Sequence, residues 1–194
     1  MTPGPDAPTM SPDDAERTLF GDTLTAVESM PLRLTAWCDE RSTNLQARAE
    51  WMLRLLGQIE SGAADHDEEH ADPTLRRIEA KLDLTLDLLA SVLAASQAPP
   101  AAVDLRWSHL GVSYVAPSGR PSGDRAILHL YLRPWLPTPL ELPVQWMASR
   151  SEAAGERLWL AFQLDQPGVQ RALDKLLFRQ HRRQIAQTRR DTHG

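Results

Sequence analysis

The chain has 194 residues, a net charge of -5, 42% hydrophobic residues and one cysteine, Cys38. That size suits one domain with appendages around a modest core. The acidity argues against general binding to a phosphate backbone, the hydrophobic content excludes a wholly disordered chain, and the lone thiol excludes an internal disulfide framework and fits a reducing compartment. The charge is uneven: five acids and no base lie between Asp65 and Asp72, whereas seven Lys or Arg face the single acid Asp174 between Arg171 and Arg190.

Met1 to Pro8 contain no basic region followed by an apolar run, so neither a signal peptide nor a lipid anchor is expected, and a cytoplasmic location is. Pro, Asp and Thr without apolar periodicity predict a flexible tail over 1–29. From Leu32 to Trp37 apolar and polar side chains alternate, predicting a first strand over 31–37. Asp39 offers an N-cap for a helix over 40–62. Its seam, Leu45, Ala49, Met52, Leu56 and Ile59, keeps spacings of three and four until Gly62 ends it.

His66-Asp67-Glu68-Glu69-His70 has the spacing of some zinc-peptidase motifs, but it lies in a polar stretch with no apolar face to dry a metal. An acidic linker is expected there, and no metal site. Asp72-Pro73-Thr74 starts a second helix, over 73–97, with Asp as cap and Pro at the first helical position. Leu75, Ile78, Leu82, Leu86, Leu89 and Leu93 then follow an eleven-residue repeat, which favours straight or weakly right-handed packing. A helix from Pro73 to Ser96 is about 36 Å long at about 1.5 Å per residue, longer than a small barrel can cover. Part of the stripe is therefore left for neighbouring subunits, burial within the protomer being the plainer alternative. Asp83 and Asp87 interrupt the most apolar stretch, Leu82 to Ala95, which is too short to cross a bilayer.

Gln97-Ala-Pro-Pro-Ala-Ala breaks this helix, and five strand candidates follow within 102–165: Val103–Trp107, Gly111–Ala116, Ile127–Leu132, Glu141–Ala148 and Arg157–Leu164. Strands spaced so closely predict a barrel or sandwich. Asp165 and Pro167 start a closing helix over 167–190, docked by Val169, Leu173, Leu176 and Leu177 and basic beyond Phe178.

Three stretches carry a family resemblance: Trp107-Ser108-His109-Leu110-Gly111 in a turn, Leu130 to Pro137 closing a later strand, and the helix end from Leu176 to Ala186. They resemble the PilZ domain, a bacterial module for cyclic di-GMP signalling, and within it the atypical, tetrameric branch. The resemblance implies an α+β fold: a small antiparallel β-barrel closed by a C-terminal helix, in a single domain over 30–190. The two long helices would be inserted between the first two strands as a coiled-coil oligomerisation element. It also implies a homotetramer assembled through Leu75, Ile78, Leu82, Leu86, Leu89 and Leu93.

Standard PilZ domains hold cyclic di-GMP with an Arg-x-x-x-Arg pair before the first strand and an Asp/Asn-x-Ser-x-x-Gly turn after the second. Ser108 and Gly111 align with that turn, and Arg106 takes the position of the acid or amide. A guanidinium accepts no hydrogen bond from a guanine edge, so the change removes a role and counts against direct binding. Before the first strand the only arginine is Arg17, with Gly21 four residues on. Arg179 and Arg183 have the pair's spacing, but on the closing helix, where it merely places two charges on one face.

Arg106, Ser108 and Gly111 are thus the candidate ligand residues and cyclic di-GMP the candidate ligand, with no cofactor expected. No nucleophile elbow, phosphate loop or paired cysteine ligands occur, so no enzyme is expected. The six tryptophans read as barrel core or interface. The implied function is a non-enzymatic cyclic di-GMP receptor or adaptor with unidentified protein partners. The alternative is a small-barrel binder of single-stranded nucleic acid using Arg179, Arg182, Arg183, Arg189 and Arg190, against which the acidic remainder weighs.

Overall fold

The computed structural model describes residues 10–39, 44–62, 78, 82, 85, 89, 99–116, 121, 123–136 and 138–191. Six strands, β1 (Ala26–Ala36), β2 (Ala102–Trp107), β3 (Gly111–Ala116), β4 (Arg125–Leu130), β5 (Leu140–Glu152) and β6 (Gly155–Phe162), pair antiparallel. They close into one barrel in the order β1-β2-β3-β6-β5-β4.

Closure rests on β1, whose first half, Ala26–Pro31, pairs with β2 and whose second half, Leu32–Ala36, pairs with β4. Pro31 stands at the changeover, a place where a strand tolerates a missing N–H, and its carbonyl accepts from the Tyr131 N–H at 3.1 Å. The period of two sends Leu105, Trp107, Val112, Leu128, Leu142 and Leu160 into a common interior, with Trp107 fully buried.

The strand positions expected from alternation are largely those observed, with β5 extended to Glu152 and β4 ending at Leu130. The first strand is longer than the expected 31–37. Its extra residues, Ala26 to Met30, alternate between buried and more exposed positions, but Glu28 and Ser29 hide the pattern.

The expected tail over 1–29 is corrected: a helix, α1 (Pro12–Phe20), precedes β1. Ser11 caps it, its hydroxyl accepting from the Asp14 N–H at 3.2 Å, with Pro12 at the start and Asp13 and Asp14 in the first turn. One face, Ala15, Leu19 and Phe20, is buried against Trp159 and Ala148 in a satellite cluster outside the barrel. The stripe is too short to stand out in a Pro- and Asp-rich stretch.

The first inserted helix is α2 (Leu45–Gly62). Residues 40–43 lie outside those described, and the Asp39 carboxylate accepts from Trp37 Nε1 at 2.7 Å. Leu45, Ala49, Leu53 and Leu56 form its buried face, so Leu53 takes the place expected of Met52, and Ile59 is exposed. That face packs within the protomer, against β5 and the C-terminal helix α3 (Pro167–Asp191). Of the second inserted helix, expected over 73–97, positions 78, 82, 85 and 89 are described and helical; Leu75, Leu86 and Leu93 lie outside the described residues, as does His66–His70. Val169, Leu173, Leu176 and Leu177 dock α3 and are fully buried.

A half-hidden ion cluster fastens the helices to the barrel. Glu60, on the last turn of α2, accepts from Arg133 Nε at 2.8 Å, and its other oxygen lies 3.5 Å from Arg179 of α3. Beside it, the Glu28 carboxylate accepts from Gln180 Nε2 at 3.3 Å. Burial pushes the Glu28 carboxyl above the usual carboxylate range, and the positive Arg133 only partly opposes this. The folded state thus favours protonated Glu28 more than the unfolded state does. Stability is greatest below the unfolded pKa and falls as pH rises through the folded one. Glu28→Gln, which keeps an acceptor for Gln180, is expected to flatten that fall and stabilise the protein at neutral pH. Urea midpoints across mildly acidic to neutral pH check this, and parallel curves for the two proteins would refute it.

Candidate functional site

The three residues expected to meet a ligand lie together at the β2–β3 turn, and each is engaged within the protein. Ser108 is fully buried. Its hydroxyl donates to the Leu19 carbonyl at 2.7 Å and accepts from the Leu110 N–H at 3.0 Å. The Ser108 N–H donates to the Gly111 carbonyl at 2.9 Å. One side chain thus closes the turn locally and anchors the C-terminal end of α1 to it.

Gly111 is where chains crowd: a Cβ there would overlap the Leu160 carbonyl oxygen and stand 2.8 Å from Leu19 Cδ2. The glycine that the resemblance reserves for a ligand admits β6 and α1 instead. Arg106 lies on the outer face of β2. Its guanidinium pairs with Glu16 at 2.5 Å and sits 4.7 Å from the centre of the Phe20 ring. The second Glu16 oxygen accepts from Trp159 Nε1 at 2.7 Å.

Glu16 and Phe20 of α1 and Trp159 of β6 complete the surroundings of Arg106; the first two escape the sequence pattern, which reads α1 as tail, and Trp159 is buried as expected of the tryptophans. The Ser-Pro-Asp-Asp start at Ser11 to Asp14 was the signal available. With Asp13, Arg17 and Gly21, residues Glu16, Phe20 and Arg106 line an open cleft of about 370 Å³.

The two alternative arginine positions are also committed. Arg17 pairs with Asp14 at 3.1 Å, and Arg179 approaches Glu60. Arg182 stacks on Phe178 at 6.0 Å, while the side chains of Arg183, Arg189 and Arg190 lie outside those described. Of the expected assembly stripe, Ile78, Leu82 and Leu89 are 51%, 57% and 55% exposed in the protomer. No described helix is long and apolar enough to cross a membrane.

The family model of the atypical PilZ domain, described as a cyclic di-GMP receptor, matches residues 53–190. The chain belongs to the atypical PilZ family. A solved structure from Xanthomonas campestris superposes on this PilZ chain with a TM-score of 0.79 and 35% sequence identity, covering 90% of this chain and 97% of that one. It is described as a new tetrameric PilZ domain self-assembled via an unusual helical bundle. No curated protein matches the sequence.

The PilZ turn gives two stability predictions. Ser108→Ala strands the Leu19 carbonyl and the Leu110 N–H and is expected to cost about 1–3 kcal/mol. Gly111→Ala, which forces β6 or α1 to move, is expected to cost about 1–3 kcal/mol as well. Urea unfolding measures both, and wild-type midpoints would refute the structural roles.

Proposed function

We propose that the protein is a non-enzymatic component of cyclic di-GMP signalling in the cytoplasm, a PilZ effector or adaptor that acts through self-association and protein partners. The observation that carries this reading is the apolar stripe: Ile78, Leu82 and Leu89 are helical, spaced along one face and more than half exposed. A helix that leaves such a face open asks for neighbours, and the Xanthomonas relative is described as a tetramer held by a helical bundle. A homotetramer is the assembly proposed, with Leu75, Leu86 and Leu93 continuing the stripe.

Two facts favour an adaptor over a receptor that uses the standard PilZ motif. The Ser108 hydroxyl is committed to the Leu19 carbonyl, and Arg106, standing where an acid or amide would meet guanine, is committed to Glu16.

Leu82→Asp and Leu89→Asp each place a charge in the proposed seam and are expected to give folded species of lower mass by light scattering. An unchanged mass for both would remove the interface. Calorimetry of the native protein with cyclic di-GMP, with GTP and cyclic GMP as controls, is expected to show no saturable heat at high micromolar ligand. Selective, saturable heat would make the protein a direct receptor instead.

A further inference from the structure

On the outward face of α3, cations and apolar side chains alternate. Lys175, Phe178, Arg182 and Ile185 are spaced three, four and three residues apart, so they share one side of the helix, opposite the docked Leu173, Leu176 and Leu177. Phe178 is 54% exposed and Ile185 40%, and the Arg182 guanidinium lies 6.0 Å from the centre of the Phe178 ring. Among the described residues, Lys175 and Arg182 meet no carboxylate. A cleft of about 420 Å³ opens beside them, where α3 passes the segment joining α1 to β1. Leu24 and Phe178 are its apolar walls, and Asp174, Lys175 and Arg179 its charged ones. Leu24 is held by contact with the barrel core, and Asp174 lies 2.9 Å from His109 Nδ1 of the β2–β3 turn, so these walls are set before anything binds.

Solvated surface is the plain reading of exposed charges, and single apolar side chains on a surface need no partner. Here both coincide with a cleft, and the charge runs against the balance of the chain. Between Arg171 and Arg190 there are seven Lys or Arg and one acid, in a protein of net charge -5. Such a face attracts an acidic surface. An aromatic side chain and an arginine at the mouth of a pocket are also the residue types on which binding energy concentrates. The cleft sorts among acidic partners. The Asp174 carboxylate in its wall repels a run of phosphates, whereas a protein segment can set one apolar side chain there and keep its own carboxylates outside, over Lys175 and Arg182.

We infer that this face of α3 docks an acidic segment of a partner protein, one apolar side chain of which is anchored in the cleft between Leu24 and Phe178. Carboxylates of the segment pair with Lys175 and Arg182, and Ile185 continues the apolar contact about two turns beyond Phe178. The inference rests on the proposal that the protein acts through partners, and it supplies the chemistry of the partner.

Selection of short random displayed peptides on the full native chain tests the surface. Enriched sequences are expected to join Asp or Glu to Leu, Phe or Trp, and to bind more weakly as salt rises. Phe178→Ala, and separately Lys175→Glu with Arg182→Glu, are each expected to weaken a synthesised binder at least about tenfold, because they remove the anchor's wall or reverse its charge partners. All three side chains are exposed, so the variants are expected to keep the native mass and unfolding midpoint. A selection that enriches nothing, a consensus without acids, or affinities unchanged in both variants overturns the surface. Displacement of the binder by single-stranded DNA, or by a peptide of residues 63–72 of this chain, overturns the partner's class in favour of a nucleic acid or a second copy. None of these results bears on the masses of Leu82→Asp and Leu89→Asp or on the cyclic di-GMP titration, so docking and assembly fail separately.

Discussion

Everything in this protein hangs on one strand serving two partners. A barrel has no free edge only if its first strand also meets its last neighbour, and β1 achieves this by handing over from β2 to β4 at Pro31. The handover fixes which residues face inward on either side. It also dictates where extra chain fits, because β1 and β2 are neighbours in space but separated in sequence by the whole helical insertion. The insertion leaves and returns without breaking a pairing, and the Glu60–Arg133–Arg179 cluster ties the end of α2 back to the barrel. The barrel thereby carries the helical insertion without losing a strand pairing.

The outer face of the same sheet is organised by a β-bulge. Between Trp146 and Ala148 the register of β5 against β6 shifts. The extra residue brings both Met147 and Ala148 to the cluster around Trp159, while Trp146 stays inside. That local change of direction creates the apolar seat for Leu19 and Phe20. Apolar burial accounts for the docking of α1; its carboxylates add orientation, since the ion pairs involved are partly exposed and individually weak.

What was legible in the sequence follows from how periodic each element is. The five strands from β2 to β6 and the docking face of α3 could be read because their patterns run long enough to show a period. Leu45, Ala49 and Leu56 gave the face of α2, but the choice between Met52 and Leu53 depends on what lies opposite, and here the filler is the protomer's own β5 and α3. The start of β1 was hidden because its outward residues alternate against a half-polar run, and α1 because three apolar side chains cannot announce a helix among prolines and aspartates. The turn that runs from Trp107 through Ser108 to Gly111 was legible from the strand candidates on either side of it. The roles of Ser108 and Gly111 were not legible, because Leu19, which meets both, belongs to a helix that the sequence pattern hides.

The split pairing of β1 also bears on the order of folding. The β4–β5 and β5–β6 pairings join neighbours in sequence, whereas the β1–β2 ladder spans the insertion and closes the barrel across the longest loop in the chain. Loop-closure entropy grows only slowly with length, by about 0.6 kcal/mol per doubling, so the native state carries the insertion cheaply. The rate is more sensitive, because non-local contacts form late. On the ribosome, β1 emerges first and waits for both of its partners. Its apolar side chains remain uncovered until β4 has been made, which is an interval of aggregation risk that a barrel without the insertion would shorten.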